Sequence, residues 1–96
     1  MDDPELMREI LDALISDTSR QLVLLEAAIR DRNAPQCARL AHYSKGACAN
    51  VGASRAAGMF KRIEHSAANG AFGDCVTSLA HLVREVELLR NESTAL

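Results

Sequence analysis

Between Glu5 and Arg32 the chain contains neither glycine nor proline, and Met7, Leu11, Leu14, Thr18, Leu22, Leu25 and Ile29 recur at three- and four-residue steps. That spacing lays one apolar stripe along a helix and leaves no room for a strand in the first third of the sequence. The rest follows the same rule: no segment alternates with period two, and breakers fall in three short clusters. Asp31-Arg32-Asn33-Ala34-Pro35 reads as a turn into a proline-started helix, Gly52 as a left-handed helix stop, and Asn69-Gly70 as a second stop. Amphipathic helices joined by turns this short must run antiparallel and pool their apolar faces.

The expected architecture is therefore all-α, an antiparallel four-helix bundle in one domain over residues 1–96. Pro4 suits a first helical turn, with Asp2 or Asp3 as its cap. The polar run Ser16-Asp17-Thr18-Ser19 favours a kink or break in the long first helix. The second helix is expected near 35–50. The third, near 53–68, buries Ala56, Met59, Phe60, Ile63 and Ala67; the last, near 74–91, buries Val76, Leu79, Val83, Val86 and Leu89. Only three aromatics occur and there is no Trp, so aliphatic side chains must build the core, which again favours helices.

Composition excludes several functions. A formal net charge of -2 gives no basis for binding nucleic acid, which needs a dense basic surface. The three cysteines, Cys37, Cys48 and Cys75, are too far apart for a disulfide framework or a structural zinc site and read as buried fillers. No apolar run approaches the ~20 residues of a membrane span. The acidic start is unlike a signal peptide. A cytoplasmic location without direct membrane contact is expected, whether the domain stands alone or is cut from a larger membrane-anchored protein.

Function should then sit on a helix face, because such loops are too short to form a substrate pocket. On a wheel of about 100° per residue, His42 stands about 180° from Val51, 160° from Leu40 and 140° from Ala47, taken as the core-facing stripe. It is expected to face solvent. Arg39 and Lys45 flank it at three residues either way, with Ala38, Gly46 and Ala49 around it. A glycine inside an exposed helix costs about 1 kcal/mol relative to alanine, so Gly46 makes sense if something must approach closely there. Cys37 and Cys48 project about 220° and 240° from His42, which argues against a metal site shared with it. Tyr43 lies about 100° away, either rimming the same surface or packing at the bundle edge. His65 and His81 have no comparable clearing and read as solvated side chains.

Residues 38–53, with His42, Lys45, Gly46, Val51 and Gly52 spaced as His-x-x-Lys-Gly followed by an apolar residue and Gly, resemble the signature of histidine-containing phosphotransfer (HPt) domains of bacterial two-component phosphorelays. The preceding Ala38-Arg39-Leu40-Ala41 fits that pattern too. One position departs from it: Ser44 stands where a large apolar residue is common. At about 200° from His42 it points inward, its hydroxyl expected to bond back to the Leu40 carbonyl, with Phe60 or Phe72 filling the lost volume.

The resemblance implies a four-helix bundle in which His42 accepts a phosphoryl group from the aspartyl phosphate of a receiver domain and relays it to another receiver. Lys45 would offset the incoming charge and Gly46 would give steric access. Ala38, Arg39, Tyr43 and Ala49 would form the docking surface. It also implies a phosphoryl carrier without kinase activity of its own, with no metal site and no cofactor, the Mg²⁺ being supplied by the receiver. The implied partners are response-regulator receivers and a hybrid sensor histidine kinase, in cis or in trans, with the carrier a monomer. The competing expectation is a non-catalytic protein-docking bundle in which His42 is only part of the surface.

Overall fold

The computed structural model describes residues 3–95, which form four helices: α1 (Pro4–Arg30), α2 (Ala34–Asn50), α3 (Ser54–Ala68) and α4 (Phe72–Ala95). Each packs on its two neighbours in a ring, α1 on α2, α2 on α3, α3 on α4 and α4 on α1. The body measures 43 × 19 × 17 Å. At about 1.5 Å per residue, the 27 residues of α1 span nearly all of its length.

One device makes all three turns. Arg32, Gly52 and Gly70 each take a left-handed backbone, with φ of 55°, 79° and 71°. After each, a backbone N–H reaches back five residues: Asn33 to the Ala28 carbonyl, Ala53 to Cys48 and Ala71 to Ser66, at 2.8–2.9 Å. This is the hydrogen-bond pattern of a Schellman helix end. The residue after the turn then opens the next helix, so each connection reverses the chain within a few residues. Arginine is strained in that conformation, and its guanidinium lies 5.0 Å from the centroid of the Phe72 ring, a cation–π contact that offsets part of the cost.

The first helix is continuous through residues 16–19, where a break was expected. Thr18 is buried and keeps the apolar stripe in phase, while Asp17 accepts hydrogen bonds from Arg20 and Tyr43. The polar run is thus satisfied by side-chain partners and the helix need not unwind. Asp3 is its cap, accepting from the backbone N–H groups of Glu5 and Leu6; the alternative, Asp2, lies outside the described residues. Met7, assigned to the stripe, is exposed.

The core comprises Leu14, Ile15, Leu25, Ala28 and Ile29 of α1, Cys37, Ala41 and Cys48 of α2, Ala56, Phe60, Ile63 and Ala67 of α3, and Cys75, Leu82, Val86 and Leu89 of α4. The α4 stripe is out of step with the expected one: Val76 and Val83 are exposed, and Cys75 and Leu82 are buried in their place. Met59 is only half-buried. Ser93 and Arg90 of α4 donate to Asp12 and Ser19 of α1, which ties the long outer pair together.

Candidate functional site

The inward positions of α2 are Cys37, Ala41, Ser44 and Cys48. They centre about 130° from His42 rather than opposite it. Val51 is accordingly exposed, and Leu40 and Ala47 are half-buried. The rotation leaves His42 outside, with 68% of its side chain exposed, and turns it toward the α2–α3 seam. There the ring meets a residue that the local pattern did not single out.

Glu64 of α3 joins both ends of the motif. His42 Nδ1 lies 2.9 Å from Glu64 Oε2, and Lys45 Nζ donates to Glu64 Oε1 at 2.9 Å. The Lys45 ammonium, seconded by the His42 ring against the effect of partial burial, holds the Glu64 carboxyl below the usual carboxylate range. An ionised carboxylate only accepts, so the hydrogen on this bond belongs to Nδ1. In the neutral ring Nε2 then carries the lone pair. No hydrogen bond engages Nε2 among the described residues. The result is a nucleophilic nitrogen on an exposed ring whose tautomer and plane are fixed from behind.

Lys45 was expected on the open face; its side chain is 30% exposed and leans on Glu64. One of its three ammonium hydrogens is committed there and two remain for an incoming anion. Arg39 is exposed and enters no ion pair among the described residues. Gly46 and Ala49 are exposed as expected, whereas Ala38 is half-buried. A Cβ built at Gly46 meets nothing within 4 Å. The protein's own packing therefore does not require glycine at this mid-helix position.

Tyr43 is exposed on the α1 side of α2, its hydroxyl donating to Asp17 Oδ2 at 3.0 Å. That bond, with the nearby Asp17 charge, raises the phenol above its ordinary pKa. Ser44 is buried, and its hydroxyl has no hydrogen-bond partner; the expected bond to Leu40 is absent. Phe60 is fully buried, while Phe72 is half-buried beneath Arg32. The three cysteines are buried and free, their thiols pushed up chiefly by burial. His65 and His81 are exposed, His65 beside Asn69 at 3.2 Å. Among the described residues no cluster of three or more His, Cys, Asp or Glu is placed to hold a metal ion.

Sequence reasoning missed Glu64 because its two bonds cross between helices, over 22 and 19 residues of chain. Its one local signal was its position on the flank of the α3 stripe, next to Ile63.

Residues 9–92 match the family model described as the Hpt domain. The crystal structure of histidine-containing phosphotransfer protein B (HptB) from Pseudomonas aeruginosa PAO1 is similar to the chain at a TM-score of 0.86 and 28% sequence identity, covering 92% of this chain and 76% of that one. No curated protein sequence matches. No helix among the described residues is long and apolar enough to cross a membrane.

Proposed function

Because the chain belongs to the Hpt domain family, whose members carry phosphoryl groups in phosphorelays, we propose that His42 is the residue that carries the phosphoryl group here. The observation behind this reading is the bridge that fixes Nδ1 on Glu64 and leaves Nε2 free on an exposed ring. Nε2 attacks the phosphorus of a receiver's aspartyl phosphate. The N–P bond forms as the bond to the aspartate oxygen breaks, and the electron pair leaves with the carboxylate. The Nδ1 hydrogen stays on the ring, where the Glu64 carboxylate balances the positive charge that develops during transfer. The second step reverses the first onto another receiver's aspartate.

Such a transfer depends on positioning and charge neutralisation more than on bonding groups. Lys45 supplies both: it offsets the Glu64 charge that would otherwise repel a phosphoryl group, and it offers its free hydrogens to the phosphoryl oxygens. Gly46 and Ala49 let the acidic pocket of the receiver come close, and Ala38, Arg39 and Tyr43 complete the rim. The divalent cation of the reaction would belong to the receiver. On this reading the domain phosphorylates nothing by itself, works in the cytoplasm, and meets receivers and a sensor kinase as a monomer.

Incubation with a phosphorylated receiver should place acid-labile, base-stable phosphate on the chain. His42→Gln should take none, and Lys45→Ala should slow transfer on the order of a hundredfold while keeping its helical content. Equal labelling of His42→Gln and the parent chain would overturn the assignment and leave a docking bundle.

A further inference from the structure

Charge is unevenly distributed along this chain. Residues 34–68 hold five of its eleven Lys and Arg (Arg39, Lys45, Arg55, Lys61 and Arg62) but only one of its thirteen Asp and Glu, Glu64. The α2–α3 hairpin is thus cationic on a protein whose formal net charge is -2. Its single acid is already bound by Lys45 and His42. Arg55 is drawn toward α4 by Glu85, at 3.5 Å. Lys61 and Arg62 are exposed and enter no ion pair among the described residues.

The two free cations lie on opposite flanks of α3. Lys61 is about 60° further round the helix from the core than Glu64, on the same flank, so it faces the His42 side. Arg62 lies on the other flank, in a groove with Asp74 and His81 of α4. Between them, on the outermost line of α3, is Gly58. A Cβ there meets nothing within 4 Å, as at Gly46. Gly58 shares a groove with Arg55, Met59 and Arg62, so of the two free cations only Lys61 lies on the α2 side of that line.

We infer that the receiver docked on His42 also reaches the α2-side flank of α3, setting acidic side chains against Lys61. This rests on the phosphotransfer reading above and adds a docking determinant to it. Charge complementarity selects the occupant: an acidic protein surface fits a free cation on the same side as the reactive histidine, and a receiver's aspartate pocket is acidic. Lys61 steers the encounter and does not touch the transferred group. Rim charges of this kind govern the association rate and its salt dependence more than the chemistry that follows.

Transfer from a phosphorylated receiver, measured against receiver concentration at low and high salt, separates these roles. Lys61→Glu should lower kcat/KM about tenfold at low salt, with the saturated rate unchanged and the loss shrinking as salt rises. Arg62→Glu makes the same change of charge on the wrong flank and should stay within about threefold of the parent. Lys61→Glu behaving as the parent, or no worse than Arg62→Glu, would overturn this inference alone. A parent chain that accepts phosphate from no receiver would overturn the phosphotransfer reading with it.

Discussion

Glu64 is the residue on which the electrostatics of the site turn. Its carboxylate accepts from an imidazole and an ammonium at once, both at 2.9 Å, and its pKa lies below the ordinary range. A group held more acidic in the folded state than in the unfolded chain favours folding above its unfolded pKa. That contribution is lost as pH falls through the folded value. Glu64→Gln should therefore be less stable than the parent near neutrality, and the gap in urea midpoint should close as pH falls below about 4. A gap that is constant with pH would mean that the carboxylate charge adds nothing. His42, Lys45 and Gly46 were legible in the sequence because neighbours three and four apart on one helix share a face. Glu64 was not, because flank positions on separate helices meet only once the bundle has set their relative height and rotation.

At the scale of the helix, periodicity located all four elements, but it did not settle their phase. α4 contains two apolar sets one residue apart, Val76 and Val83 against Cys75 and Leu82, and packing against α1 and α3 selects the second. In α2 the same ambiguity put Val51 in the core, when the buried line runs through Cys37, Ala41, Ser44 and Cys48. The expected break in α1 failed for a related reason. A polar run looks like a loop until Thr18 is buried and Asp17 finds partners on two helices. Ser44 remains an anomaly on the buried line, since its hydroxyl is unpaired. An unsatisfied buried polar group costs about 1–3 kcal/mol, so Ser44→Ala should stabilise the domain by about 1 kcal/mol in urea unfolding. A loss of similar size would mean that the hydroxyl has a partner in solution.

Over the whole molecule, the ring of four helices separates two tasks. The core supplies stability with small and aliphatic side chains, including the fully buried Cys37, Cys48 and Cys75, and the α2–α3 seam holds the proposed site on its outside. Thiols raised above their ordinary pKa and shut away from solvent react only when the bundle opens. Modification of all three by a thiol reagent should follow the rate of global unfolding and accelerate together in urea. One cysteine labelled rapidly in the native state would place a local opening near its helix.

On the proposed reading, the geometry selects one nitrogen of His42. With Nδ1 held by Glu64, the proposed phosphoryl transfer to His42 would enter at Nε2. Nitrogen–phosphorus correlation NMR of the ¹⁵N-labelled, phosphorylated domain reads that choice directly. The structure predicts a single phosphohistidine, His42, substituted at Nε2 with Nδ1 still protonated. Phosphate on Nδ1, or on His65 or His81, would contradict it.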